Sequence, residues 1–387
     1  MRHQNTVFHN VLKFIPRHSF DRVVAEHGGD YRVRRLTCWS QFVAMLYAQV
    51  SGVQSLRELV SAWASHDNLL YHLGAKKVQR STLSDANRHR PAELFAAVFD
   101  LLAPRLTRAL AGEAHDLLRL IDSTFLRLNE TLSGWARFCD GTTGVKLHVV
   151  YDPTALRATY FTITRATVND IVEAKQMPIT PGATYVFDLG YYDFGWWAQL
   201  NAAGCRFVTR LKTNSPLREL RCRPVAGQTI LGDREVRLSE RMARSRSNPY
   251  QAILREITVR IDAKKTLRLV TNDLGAPASE IAELYKTRWQ IELFFKWVKQ
   301  NLRLNKFLGT SENAVKVQII IALIAFLLIR LAQHTWASYL SLQTFIRLIR
   351  ANLLHRKFIP RLFDPSARLA KPPSDRQLDL DLAYAPI

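Results

Sequence analysis

The chain reads as an α/β protein: a mixed-sheet domain with helices packed on it, preceded by an all-α segment and carrying a β-rich insertion. Three observations predict this. Apolar residues recur at helical spacing through the first 112 residues. From about residue 115 the order becomes strand, strand, strand, helix, strand, helix, strand, which calls for a mixed sheet flanked by helices. An Arg-rich, alternating stretch then gives way to two long helical patterns. With roughly 100–200 residues per domain, 387 residues divide into two or three units. We place them at 1–112, at 113–337 with the insertion at about 213–275, and at 338–387, a basic helix and tail.

In the first unit, Trp39–Val50 and Ser55–Ala64 show helical apolar spacing. Arg80–Arg90, reading RSTLSDANRHR, is a short polar and basic helix, and Pro91 suits the first turn of the next. The basic helix is either the reading helix of a helix-turn-helix or a solvated surface helix. Leu117–Ile121, Val145–Tyr151 and Thr159–Thr164 are then strands, joined by turns at Cys139–Gly144 and Asp152–Ala155. Val168–Gln176 is a short helix, with Asn169-Asp170 as its N-cap or as support for a nearby site. Thr184–Phe187 is a strand, Phe194–Ala203 a helix closed by Gly204, and Cys205–Leu211 a fifth strand. Trp196 and Trp197 read as core. Lys146 and His148 share one strand face, either solvated or lining a ligand channel. Ile253–Ile261 and Thr266–Thr271 alternate as strands of the insertion. One long helix is expected over Ala278–Asn301 and a second, apolar one over Ala314–Ala337. No internal repeat or low-complexity block appears.

The formal charge is +21 and the pI about 10.1. Such a field attracts a polyanion, of which nucleic acid is the commonest, although cationic surfaces also serve solubility alone. Between Arg206 and Arg260 there are 13 Arg and Lys against 5 Asp and Glu, so the insertion is strongly basic. The four cysteines, at 38, 139, 205 and 222, form no CxxC pair and no zinc spacing, and read as reduced core residues of a cytoplasmic protein. Met1–Pro16 does not resemble a secretion signal. The longest apolar run, the 11 residues Ile319–Ile329, is shorter than a membrane span of ~18 or more residues and reads as a buried helix.

Phosphoryl transfer on a nucleic acid calls for two divalent cations roughly 3.5–4 Å apart, held by hard carboxylate oxygens. Three acids stand where a sheet rim and a helix would present them. Asp122 ends the first apolar strand, in Leu-Ile-Asp-Ser-Thr, and Asp188 ends the fourth, in Val-Phe-Asp-Leu-Gly-Tyr. Glu292 lies on the long helix. At ~100° per residue, Tyr285, Arg288, Glu292, Lys296 and Lys299 fall within an arc of about 80°. Leu284, Ile291, Phe294, Phe295 and Val298 point the other way. A strand-end Asp is often a simple turn or cap residue, and Glu with Lys four positions on is an ordinary helix pair. Three cations around one acid also suit a metal ligand beside phosphates.

These residues resemble the signature of the IS-four family of insertion-sequence transposases. The match stands as YKTRWQIELFFKWVK, with Tyr285-x2-Arg288-x3-Glu292-x6-Lys299; the Asp188-Leu-Gly-Tyr and Leu-Ile-Asp122-Ser-Thr segments resemble the family's two Asp motifs. The resemblance runs from about 117 to 335 and implies an RNase H-like catalytic domain with a β insertion before the Glu helix. It implies a DDE transposase that performs cut-and-paste transposition: water frees a 3′ hydroxyl at the element end, a hairpin forms and opens, and the end joins target DNA. Asp122, Asp188 and Glu292 would be catalytic and hold two Mg2+ ions, with Mn2+ able to substitute. Tyr285, Arg288, Lys296 and Lys299 would grip DNA, and Trp289 would pack on the distorted end. Residues 1–112 would bind the element's ends. The partners would be double-stranded DNA, both terminal repeats and target, and a second copy of the chain in the DNA complex, in the bacterial cytoplasm and nucleoid, with no membrane.

The sequence departs from the family at one point. Relatives stack an insertion tryptophan on a flipped base, yet no Trp occurs between Trp197 and Trp289. Phe207 and Tyr250 are the substitutes, if they are not ordinary core or surface aromatics. Arg210 and Lys212 close the fifth strand and are candidates for phosphate contact. Two other readings stand beside the first: an RNase H-like nuclease without strand transfer, and a non-catalytic DNA-binding repressor derived from a transposase.

Overall fold

The computed structural model describes residues 5–110, 117–128, 134–136, 142–225, 228–243, 246–262, 265–337 and 339–364. Half of the turn expected at Cys139–Gly144, including Cys139 itself, lies outside them, as does the tail beyond 364.

The chain opens with α1 (Val7–Leu12), α2 (Arg17–Glu26), α3 (Cys38–Ser51), α4 (Leu56–Ser65), α5 (Asp67–Leu70), α6 (Arg80–His89) and α7 (Ala92–Leu110). Local chemistry sets several of these boundaries. Thr37 caps α3 by accepting from the Ser40 amide, and Gly52 ends it at φ 83°, a left-handed conformation that favours glycine. Ser55 caps α4 through the Glu58 amide, while the Glu58 carboxylate accepts from the Gln54 amide. The basic helix α6 exposes Arg80, Ser81, Asp85 and Arg88, but Arg90 is buried. Arg90 bonds Gln41 Oε1 at 2.8 Å and the Leu36 carbonyl, and Asn313 bonds the carbonyls of Asn87 and Arg90.

The sheet follows as β1 (Leu118–Arg127), β2 (Gly144–Asp152) and β3 (Arg157–Arg165), then α8 (Asp170–Ala174), β4 (Thr184–Val186), α9 (Phe194–Ala202) and β5 (Arg206–Arg210). The insertion supplies β6 (Leu217–Cys222), β7 (Ile230–Leu238), β8 (Arg241–Ala243), β9 (Arg246–Ser247), β10 (Leu254–Arg260) and β11 (Thr266–Thr271). It is not a separate sheet. β11 pairs antiparallel with β5, Leu269 opposite Arg210, so one nine-stranded sheet runs β3-β2-β1-β4-β5-β11-β10-β7-β6. β8 and β9 form a small ribbon of their own. β1, β4 and β5 are parallel neighbours, while β2 and β3 are antiparallel. The protein is therefore mixed α/β, with a large mixed sheet and an N-terminal helical region, as the element order predicts.

Helices α10 (Ala278–Thr287), α11 (Trp289–Asn301), α12 (Glu312–Ala337), α13 (Leu342–Ala351) and α14 (Ile359–Phe363) complete the fold. The single helix expected over Ala278–Asn301 is two. The ladder tightens at Arg288, whose amide bonds the Tyr285 carbonyl and whose carbonyl accepts from Ile291. Both are i to i+3 bonds, which mark a short 3₁₀-like joint.

Apolar layers cover both sheet faces. On one, α7, α11 and α12 pack over the β1–β3 half, with Phe99 against Phe161 and Phe294 against both Tyr151 and Phe326. Helix α12 is long and apolar enough to cross a membrane by composition, but it is mostly buried, against α3, α6 and α7. The N-terminal helices and the sheet thus share one hydrophobic core. Under α9 a second cluster holds Phe187, Trp196, Trp197 and Phe207. Trp196 and Trp197 are core, as expected. Phe207 and Tyr250 are also fully buried, so neither presents a face to a base. Cys38 and Cys205 are buried free thiols; Cys222 is exposed, because it ends the solvent-facing edge strand β6.

Candidate active site

Asp122 does not end its strand, as expected, but sits in the middle of β1. The segment after it, Ser-Thr-Phe-Leu-Arg, continues the hairpin with β2 as far as Arg127 opposite Gly144. The parallel neighbour β4 stops earlier, at Val186 opposite Leu120. Asp122 therefore stands beyond the end of β4, on the same rim where Asp188 leaves that strand. Asp188 has extended backbone and bends into the turn Leu189–Tyr191, its Oδ1 accepting from the Gly190 amide at 2.8 Å. A Cβ at residue 190 would lie 3.0 Å from that oxygen, so glycine keeps the turn tight.

Glu292, in the first turn of α11, reaches the same place. Arg288 is the joint: its Nη2 lies 2.5 Å from Glu292 Oε1 and its Nη1 3.4 Å from Asp122 Oδ2. The two acids are thereby held on either side of one guanidinium. Burial pushes the Asp122 carboxyl from an ordinary 3.8 up to about 7. The Ser123 amide opposes this, the charge of Asp188 adds to it, and Arg288 and Glu292 pull in opposite directions. The three predicted acids thus interact electrostatically around one rim.

Beside them opens a cleft of about 490 Å³ lined by Asp122, Ser123, Thr124, Glu292, Phe295, Lys296, Lys299 and Gln300. Half-burial pulls the Lys299 ammonium below its usual range. Among the described residues, no three His, Cys, Asp or Glu side chains come close enough together to hold a metal in this arrangement. Arg288 occupies the space between two of them. The donor chemistry nevertheless fits a hard divalent cation. Burial first, and the charges of Asp188 and Glu292 after it, leave Asp122 hard to ionise, and a bound cation would favour its carboxylate.

Residues 113–328 match the family described as Transposase DDE domain. The chain belongs to the DDE transposases. Its relatives agree. A putative transposase of Sinorhizobium fredii is 40% identical over 288 residues, 73% of this chain and 80% of that protein. A probable transposase of the insertion sequence element IS5377, from Geobacillus stearothermophilus, is 28% identical over 66% of this chain and 68% of its own length. A putative transposase of the element IS4SA, from Synechocystis, is 46% identical over a short stretch, 15% of this chain and 17% of its own. These insertion-sequence relatives agree with an IS-four-like assignment. Residues 3–76 match a domain of unknown function (DUF4372).

The transposase's other predicted contact residues are spread along this rim. Tyr285 is nearly buried, with its ring 5.9 Å from the Arg288 guanidinium and Arg210 nearby. Trp289 is 57% exposed. It borders a second cleft, of about 440 Å³, together with Tyr285 and Arg288. Lys296 is exposed and Lys299 half-buried on the first cleft. Lys212 is exposed but rests over the Tyr192 ring, 4.6 Å from its centroid. The face predicted for Tyr285 through Lys299 is thus split by the joint at Arg288.

Two expectations change. Lys146 and His148 are not a solvated face: Lys146 bonds Asp170 Oδ1 at 3.0 Å and His148 is fully buried, because α8 folds back over β2. Asn169 makes no side-chain cap, and Asp170 is drawn into this cluster instead. Sequence reasoning did not single out Ser123, Thr124, Tyr191 or Gln300. The polar pair after Asp122 and the Tyr after Gly190 were the only signals, and both are common in turns.

Proposed function

We propose that this chain is an active transposase that cuts the ends of an insertion sequence and joins them to target DNA. The observation that carries the reading is that Asp122 and Glu292 meet on Arg288 while the charge of Asp188 acts on Asp122, three acids from elements far apart in the chain. The strand order β3-β2-β1-β4-β5, with β1, β4 and β5 parallel, supports an RNase H-like core for that site. Asp122, Asp188 and Glu292 would hold two Mg2+ ions, or Mn2+. Bound there, the ions would supply an ionised attacking water and charge stabilisation at the attacking and leaving oxygens.

The protein's own side chains would do the positioning. Arg288, released from the two acids, has the fork geometry to bind a phosphate through two N–H groups. Lys296 and Lys299 line the acidic cleft as point charges for neighbouring phosphates. Arg210 and Lys212 would continue that track past β5, and Trp289 offers an exposed ring to an unstacked base. The charge of +21 supports a DNA partner, both terminal repeats and target. Bringing two ends together calls for two copies of the chain on the DNA, in the bacterial cytoplasm. The outer face of α6 would help read the end sequence.

The test is a reaction of purified protein with Mg2+ and a plasmid carrying the element's ends. Excision followed by insertion into a second plasmid is expected. Cut ends that never join would favour a nuclease without strand transfer. Binding without cutting would favour a repressor, although the presence of all three acids speaks against it.

A further inference from the structure

We propose that Asp170 is a positioning residue for the acidic site, locking the strand that carries Asp122 to the turn that carries Asp188. This rests on the reading of Asp122, Asp188 and Glu292 as the metal-holding acids. Asp170 lies in the first turn of α8, and three groups converge on it. The Ser123 hydroxyl donates to its Oδ1 at 2.9 Å, and Lys146 Nζ donates to the same oxygen at 3.0 Å. His148 Nδ1 stands 3.8 Å away. Its Oδ2 would lie 3.4 Å from a Cβ at Gly190, the residue whose amide holds Asp188.

The register explains why this matters for Asp122. Ser123 pairs directly with His148 across the β1–β2 ladder, so both side chains point to the α8 face. Asp122, one residue earlier, points to the opposite face, toward Arg288 and Glu292. Its Oδ1 also accepts from the Ser123 amide at 2.8 Å. A grip on Ser123 therefore fixes the rotation of β1 where Asp122 leaves it. Asp170 applies that grip from one side of the sheet, and its helix neighbours the Leu189–Tyr191 turn that follows Asp188.

A second observation points into the same place. The Tyr191 hydroxyl is fully buried among Asp122, Asp170 and Asp188, beside Ser123, and forms no hydrogen bond of good geometry. His148 Nδ1 is likewise buried without a hydrogen-bond partner. Buried polar groups without partners are uncommon, and each calls for a structural reason. A carboxylate serving only as a helix cap would not collect a hydroxyl, an ammonium and an imidazole from two neighbouring strands.

The experiment titrates the full chain with Mn2+, followed by electron paramagnetic resonance, alongside thermal midpoints without metal. Asp170→Asn should weaken Mn2+ binding by about 10–100-fold, the usual effect of removing a group that orients metal ligands. Ser123→Ala, which keeps the Lys146–Asp170 pair, should weaken it severalfold. In Lys146→Met/Asp170→Asn, the thermal midpoint should return toward wild type while Mn2+ binding stays weak. Wild-type affinity in either single variant would overturn the proposal. So would recovery of both properties in the double variant, which would mean that Asp170 only balances Lys146. If the wild type binds no Mn2+, or Asp122→Ala binds it equally well, the metal reading itself fails and this inference falls with it.

Discussion

Arg288 reaches Asp122 across 166 positions of chain, its Nη1 standing 3.4 Å from Oδ2, while its Nη2 holds Glu292 at 2.5 Å. One guanidinium thus sits where the charges of two acids converge. Each of the three side chains is less than about one-third exposed, so solvent screens the contact only partly. A metal taking both acids would displace this contact.

That competition predicts the behaviour of Arg288→Ala. Without metal, Asp122 and Glu292 lose their shared cation, and stability should fall by about 1–3 kcal/mol. Adding Mg2+ should restore more stability to the variant than to the wild type. Urea unfolding with and without Mg2+ measures both; equal Mg2+ effects in the two proteins would contradict the competition.

Loss of any one acid should stop the chemistry. Asp122→Ala, Asp188→Ala and Glu292→Ala are each expected to lower end cleavage by 10³-fold or more, on the order expected when a group acting as part of one unit is removed. DNA binding should persist, because the proposed phosphate contacts lie on other side chains. Gel-shift and cleavage assays on the same preparations separate the two properties.

The raised Asp122 carboxyl sets a pH window. Its proton is held more tightly in the folded chain than in the unfolded one, since burial moves it from 3.8 to about 7. The folded state then binds more protons between those values, so this group's contribution to stability declines as pH rises from about 4 to about 7 and levels off above. Asp122→Asn should flatten that part of the metal-free stability profile. Metal affinity should run the opposite way, rising as pH increases toward about 7, because the cation needs the ionised carboxylate. Titrating Mn2+ at several pH values tests the second half directly.

DNA affinity should fall steeply with salt, by a slope of roughly 0.9 per neutralised phosphate on a log–log plot. Lys296→Ala and Lys299→Ala should each lower that slope by about 1 and weaken all sequences alike. A substitution on the outer face of α6, such as Arg88→Ala, should instead change preference among end sequences. Fluorescence anisotropy at graded salt, on matched and scrambled ends, distinguishes these outcomes.

The site also depends on the core behind it. Phe326 of α12 is almost fully buried and packs edge-on against Phe294 and Trp297 of α11, the helix that carries Glu292. Phe326→Ala should cost about 3–5 kcal/mol, read by chemical unfolding, and should lower cleavage even under conditions where the chain stays folded.

Much of this was legible in the order of residues alone. Periodicity and turn chemistry are local, so the element order, the closing Gly204, the buried Trp196 and Trp197 and the apolar helix at 314–337 follow from neighbours a few positions apart. The spacing Tyr285, Arg288, Glu292, Lys299 is local too, and it marked the helix that bears the third acid. Other features depend on which strand ends first and which helix folds back. Asp122 lies at a rim because β4 stops at Val186 while β2 continues. The helix breaks at Arg288 where that side chain meets Asp122, a partner no window of sequence contains. Asp170 looked like a cap until β2 brought Lys146 and His148 against it. Periodicity is written into the chain itself, but the meeting of distant charges depends on sheet order and strand length, which only the packed structure decides.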